Sequence, residues 1–66
     1  MNELKNQLKN QLENLKRQIK DKQQLLTISK AIKLDALVEV LYEDLDLLVN
    51  QAFIIETEIL RMEGVI

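Results

Sequence analysis

The hydrophobic positions in the C-terminal half of the chain repeat with the period of an α-helix. One apolar column recurs at every seventh residue and a second follows it by four residues. The members of the two columns are Leu34, Leu41, Leu48, Ile55 and Met62, and then Val38, Leu45, Ala52 and Ile59. This spacing places all of them on one side of a helix. The pattern predicts a helix over about residues 35–63.

A third apolar column makes this second helix unusually hydrophobic. Val40, Leu47 and Ile54 are also seven residues apart, and they lie about 100° round the helix from the main column. A helix that is apolar over so much of its circumference is not covered by one neighbour. The pattern therefore predicts neighbours on two sides.

The N-terminal half carries a single narrow apolar stripe on an otherwise polar helix, predicted over about residues 3–27. Its members are Leu4, Leu8, Leu12, Leu15, Ile19 and Leu26. Four of these residues have the spacing of a coiled-coil seam, and Lys22 interrupts it. Continued by sevens, the seam would include Lys22, Ser29, Glu43 and Asn50, which are all polar, so the pattern loses its phase between Leu25 and Asp35.

The two stripes are one residue out of step, which is about 100° of rotation. A turn within 27–34 resolves the mismatch, and a continuous kinked helix is the alternative. Thr27, Ser29 and Asp35 are candidate N-caps, because a short side-chain oxygen accepts from the free amides of a first helical turn. We favour Asp35 or Ser29 as the cap of the second helix. Gly64 is expected to stop that helix.

These predictions define an all-α fold, an antiparallel helical hairpin in one domain over residues 1–66. The narrow stripe of the first helix is too small to cover the second helix. Two hairpins are therefore expected to pair, which would make a homo-oligomer built as a four-helix bundle or a larger assembly.

The charges are divided unevenly between the two halves. Residues 1–33 carry eight bases and three acids, whereas residues 34–66 carry one base and eight acids. The two helices either neutralise each other in the hairpin or keep a charged face for a partner. The basic first helix makes nucleic-acid binding a further alternative, although it has no aromatic residue to stack on bases.

The residue inventory limits the chemistry of the chain. It has no Cys, no His and one Gly, so disulfides, zinc sites and phosphate-binding loops are not expected, and we expect no metal or cofactor. The candidate chemical groups are carboxylates. Asp44, Gln51 and Glu58 repeat every seven residues beside the apolar columns. They form either a water-excluded site with raised pKa values or a wet groove between two interfaces.

The N-terminus lacks the apolar core of a signal peptide, and the longest apolar run is four residues. Both observations argue against a membrane span. The expected location is the cytoplasm.

One resemblance to a known family rests on two segments. Residues 12–19 (LENLKRQI) and 41–50 (LYEDLDLLVN) resemble motifs of the small two-helix aspartyl-phosphate phosphatases that regulate sporulation in spore-forming bacteria. Tyr42 stands where that family has Ser. The resemblance implies a helical hairpin that removes phosphate from a response regulator, with Asp46, Glu43 and Asn50 presented to the phosphorylated partner.

The function expected from the residues themselves is different. They indicate a small non-enzymatic helical protein that self-associates and binds an unidentified protein partner, as a regulator, inhibitor or adaptor of the kind common in bacteria and phages. The expected partner-binding residues are Val40, Leu47, Ile54, Phe53, Tyr42 and Asp44.

Overall fold

The protein is an antiparallel hairpin of two long helices. The computed structural model describes residues 2–64, which form α1 (Asn2–Ala31) and α2 (Asp35–Met62). The helices pack against each other along a rod whose Cα extents are 47 × 17 × 13 Å. The predicted all-α hairpin is confirmed, and a continuous kinked helix is excluded.

The buried side of α1 is a coiled-coil seam that runs the length of the helix. The buried and half-buried positions of α1 recur at alternating steps of three and four residues. They are Lys5, Leu8, Leu12, Leu15, Ile19, Lys22, Leu26 and Ser29. This alternation keeps one narrow stripe facing a partner helix, so the sequence of α1 specifies a single contact face.

The seam of α1 continues through Lys22 and Ser29, two polar positions at which the sequence pattern predicts that it fails. Ser29 is only 3% exposed, and Lys22 is half-buried in the same stripe. The aliphatic part of a lysine can lie along an apolar surface while its ammonium reaches the edge. Here the Lys22 ammonium bonds the Asp44 carboxylate at 3.2 Å.

The main apolar side of α2 faces α1. Its buried and half-buried seam positions are Val38, Leu41, Leu45, Leu48, Ala52, Ile55 and Ile59. Leu41 and Ile59 are the most deeply buried of them. The two predicted main columns of the second helix therefore form the intramolecular interface, except for the end members Leu34 and Met62, which are exposed. The third column does not take part in it.

The turn between the helices occupies residues 32–34 and is closed by backbone hydrogen bonds. The Lys33 amide donates to the Lys30 carbonyl at 3.2 Å, and the Leu34 amide donates to the Ser29 carbonyl at 2.9 Å. Lys33 has φ = 61°, the left-handed conformation that ends many helices. This Schellman motif satisfies the last carbonyls of α1, and α1 therefore continues to Ala31 instead of ending near residue 27.

The predicted N-caps of α2 are wrong. The N-cap position is Leu34, which has no side-chain capping bond, and Asp35 is the first helical residue. Ser29 lies inside α1, and the Thr27 hydroxyl donates to the Gln23 carbonyl one turn back. The sequence signals for an N-cap were misleading because backbone hydrogen bonds at the end of α1 close the turn. α2 then begins without a polar side-chain cap.

α2 ends as predicted, before Gly64. Gly64 has φ = 78°, and its amide donates to the Arg61 carbonyl at 3.1 Å. Glycine adopts this conformation without the steric cost that a side chain would add.

At the end of the hairpin opposite the turn, ion pairs join the start of α1 to the residue that follows α2. The Glu63 carboxylate lies 2.9 Å from the Lys5 ammonium and 3.9 Å from that of Lys9. Hydrogen bonding and charge attraction from Lys5, with a smaller contribution from Lys9, hold the pKa of Glu63 below its usual value. The basic helix and the acidic helix thus neutralise each other at this end.

Neither α1 nor α2 contains a segment with the length and hydropathy that crossing a bilayer requires.

Candidate functional site

The hairpin buries little of its own hydrophobic surface. Three hydrophobic side chains of the described residues are buried, whereas thirteen large ones are more than a third exposed. An exposed leucine is ordinary on a protein surface, but contiguous apolar patches usually mark interaction sites. The surfaces on which these thirteen residues lie are therefore candidate interaction sites.

The third apolar column of α2 is exposed to solvent. Val40 is 51% exposed, Leu47 62% and Ile54 67%. Leu47 lines a shallow depression between the helices together with Lys22 and Asp44. The column therefore lies on the side of the hairpin that carries the Lys22–Asp44 ion pair. Leu37, seven residues before Asp44 and also exposed, extends this side toward the turn.

The first helix contributes exposed aliphatic residues to the same side. Leu25, Ile28 and Ile32 are about half exposed, and their spacing of three and four residues places them in one stripe. Leu25 follows Gln18 by seven residues, and Gln18 lines the same depression as Leu47. The amide of Ile32 still bonds the Ile28 carbonyl at 3.1 Å, so Ile32 continues the helical stripe.

We call these residues the turn-end surface. Its members are Leu25, Ile28, Ile32, Leu37, Val40 and Leu47, and Ile54 continues the α2 column beyond it. Sequence reasoning missed the part contributed by the first helix. The signal was present in the helical spacing of Leu25, Ile28 and Ile32, but those residues fall where the two stripes change phase, and the region was interpreted only as a turn.

Toward the other end of the hairpin the same side becomes polar. A second shallow depression is lined by glutamine and asparagine with two aliphatic residues: Gln11, Asn14, Leu15, Gln18, Gln51 and Ile55. The two depressions measure about 210 and 280 Å³, below the roughly 300–1,000 Å³ of typical small-molecule pockets. The geometry favours a macromolecular contact over a bound metabolite.

The column of Asp44, Gln51 and Glu58 does not form a water-excluded site. The Asp44 side chain is 39% exposed and paired with Lys22, and Gln51 lines both depressions. Glu58 pairs with Arg61 on its own helix at 3.7 Å. The interpretation as a wet polar groove fits this arrangement.

A different surface of α2 combines aromatic and acidic residues. Tyr42, Val49 and Phe53 follow one another at helical spacing, and Phe53 is 69% exposed. Val49 lies two residues beyond Leu47, which is about 160° round the helix. Asp46 lies four residues after Tyr42, on the same side. We call these four residues the acidic face.

One edge of the acidic face contacts α1. The Lys30 ammonium lies 4.9 Å from the centroid of the Tyr42 ring, within the range of a cation–π interaction. The other acids of α2 near this face remain unpaired. Within residues 2–64, none of the carboxylates of Asp35, Glu39, Glu43, Asp46 and Glu56 forms an ion pair. The face therefore keeps a net negative charge.

The residues that the phosphatase resemblance singles out are all exposed. Glu43, Asp46 and Asn50 lie three, four and seven residues apart on one side of α2, so their polar groups point in similar directions. None of them forms a side-chain hydrogen bond or ion pair within the described chain. The three side chains are accessible to a partner from solvent.

Three lysines of α1 are engaged in ion pairs with Asp44 of α2 or with Glu63, the residue that follows α2. These are Lys5, Lys9 and Lys22, and Lys30 is placed over Tyr42. This engagement reduces the positive charge that α1 presents outward. Among residues 2–64 no group of acidic side chains is arranged to hold a metal ion.

Searches of protein-family models, curated proteins and solved structures found no match to this chain.

Proposed function

We propose that this chain is a small helical interaction protein that self-associates and binds a protein partner, acting as a regulator, inhibitor or adaptor. The observation that supports the proposal is the imbalance between three buried and thirteen exposed large hydrophobic side chains in the described residues. Burial of one aliphatic side chain contributes about 1.5–3 kcal/mol. Covering this surface is therefore a strong driving force for association.

The total surface area supports the same proposal. A folded monomer of 7.7 kDa is expected to expose about 4,300 Å², whereas this chain exposes 5253 Å². The excess, about 900 Å², is close to the roughly 800 Å² per partner that a standard protein interface buries. The hairpin thus has about one interface more surface than a compact monomer of its mass.

The test of self-association is the mass in solution, measured by light scattering at tens of micromolar protein. We expect twice 7.7 kDa or a higher multiple. A mass equal to one chain at this concentration would contradict the proposal.

The acidic face supports the proposed binding of a protein partner, because the unpaired carboxylates and exposed aromatic rings on this side of α2 suit a basic protein. The test compares proteins retained from the source cell by the wild type and by Phe53→Ala, with Gln24→Ala, at an exposed position of α1, as the control. We expect a specific protein to be retained by the wild type and the control and lost with Phe53→Ala. Equal retention by all three baits would argue against this face.

A further inference from the structure

We infer that the turn-end surface is the interface with a second copy of this chain, so that the turn halves of two hairpins pack together. The inference rests on the proposed self-association and assigns it to a surface. It also assigns part of the interface to α1, through Leu25, Ile28 and Ile32.

The first argument is charge. In a two-fold symmetric dimer the same patch meets itself, so a patch with a net charge meets an equal net charge of the same sign. The six residues that define the turn-end surface are all uncharged aliphatics. Lys22 and Asp44, which lie beside them, already neutralise each other at 3.2 Å. The unpaired carboxylates of Asp21 and Glu43 border the surface, so its apolar centre can face its own copy without repulsion between like charges.

The acidic face fails the same criterion. A symmetric contact there would bring together two patches that each carry the unpaired carboxylates of Asp46, Glu39 and Glu56. Like charges brought together across an interface cost free energy. The acidic face is thus suited to a different, basic molecule, which leaves the turn-end surface for self-association.

The second argument is the position of the apolar residues along the rod. On this side of the hairpin six exposed aliphatics lie toward the turn, while Leu4 and Ile54 are the two that lie toward the other end, where Gln11, Gln18 and Gln51 make the surface mostly polar. Overlap of the two turn halves covers aliphatic with aliphatic surface. A bundle with the turns at opposite ends would instead place the aliphatic residues of each copy against the polar half of the other, which desolvates amides without partners.

The test uses matched substitutions of exposed aliphatic residues. Leu47→Lys and Ile28→Lys alter the turn-end surface from α2 and α1 respectively, and Val49→Lys introduces the same charge on the acidic face. Each dimer carries two copies of the change, so we expect the first two variants to raise the dimer dissociation constant by about 100-fold or more. We expect Val49→Lys to change it by less than about threefold. Circular dichroism checks that all three variants stay helical.

The outcomes separate this inference from the proposed function. If the wild type is monomeric, both are overturned. If the wild type associates but Leu47→Lys and Ile28→Lys associate equally well, self-association stands and this interface is wrong. If Val49→Lys alone dissociates the assembly, the interface lies on the acidic face.

A distance measurement tests the arrangement of the copies. The chain has no cysteine, so Lys33→Cys provides one attachment site for a spin label at each turn. We expect the distance between the two labels to be well below the 47 Å length of the hairpin. A distance near 47 Å would indicate turns at opposite ends and would overturn the inference.

Discussion

The backbone amide of Leu34 donates to the carbonyl of Ser29 at 2.9 Å and so fixes the direction in which the chain reverses. The bond requires Lys33, between the two residues, to adopt φ = 61°. For a residue with a side chain this conformation costs about 1 kcal/mol or more, because the Cβ atom approaches the following carbonyl. The turn therefore carries a strain that glycine would remove.

Lys33→Gly should stabilise the hairpin by roughly 0.5–1 kcal/mol, since the relief of strain exceeds the additional chain entropy of the unfolded state. The measurement is urea denaturation followed by circular dichroism. Lys20→Gly is the matched control, because Lys20 is exposed within α1, where glycine should cost about 1 kcal/mol. Loss of stability in both variants would show that Lys33 is not strained.

Ser29 provides a second prediction, because it is 3% exposed in the seam just before the turn. A short connection brings the two helices close together, so a small side chain suits this position. Ser29→Leu should destabilise the protein by about 1–3 kcal/mol through overpacking. Ser29→Ala, the control, should change the free energy of unfolding by less than about 1 kcal/mol. A stable Ser29→Leu variant would mean that the seam has room there.

Ser29 and Lys22 also show how far the sequence predicts the fold. The apolar spacing of residues such as Leu12 and Leu41 predicted two helices and the side that each buries, because hydrophobic burial decides those features. The pattern could not show that the seam continues through a lysine and a serine. Whether Lys22 reaches a carboxylate, or whether Ser29 fits a close approach, depends on the facing helix.

The exposure of part of the candidate surface also follows from the sequence. Val40, Leu47 and Ile54 are exposed, as predicted, because three apolar columns exceed what one neighbour can cover. Ile28 was not recognised, because its significance depends on the α2 residues that the turn brings beside it. No Gly or Pro marks the turn in the sequence, because Lys33 occupies the left-handed position.

The pKa of Glu63 should show whether its ion pair with Lys5 forms at the end of the hairpin far from the turn. Lys5 lowers the pKa of Glu63 in the folded state, so the stabilisation is present above the unfolded pKa, near 4.5, and is lost as the pH falls through the folded value. An NMR titration of Glu63 should therefore give a midpoint below 4.5.

The same titration in Lys5→Gln should give a higher midpoint for Glu63 than in the wild type. Lys16→Gln removes an equal charge from an exposed position of α1 that has no ion pair with Glu63, and it should leave the midpoint nearly unchanged. If both variants shift it equally, the effect comes from the net charge of the helix and not from the Lys5 contact.

Asp46 separates the interaction proposal from the phosphatase activity that the family resemblance implies. Its carboxylate is exposed on α2, so Asp46→Asn should change the free energy of unfolding by less than about 0.5 kcal/mol. The measurement is the lifetime of a panel of phosphorylated response regulators with the wild type and with this variant. We expect neither protein to shorten the lifetime.

One result would contradict this expectation and support the phosphatase. Faster loss of phosphate with the wild type, abolished in a folded Asp46→Asn, would make the phosphatase the better description of the chain. Asn50→Ala and Glu43→Gln would then be expected to reduce the activity, because both residues lie one turn from Asp46 on the same side of α2. Val49→Ala shortens an exposed apolar side chain about 100° round α2 from Asn50 and about 60° from Asp46. It removes no polar group and should leave that activity intact. A loss of activity in Val49→Ala equal to that in Asn50→Ala would indicate that docking of the partner, and not the polar groups, limits the reaction.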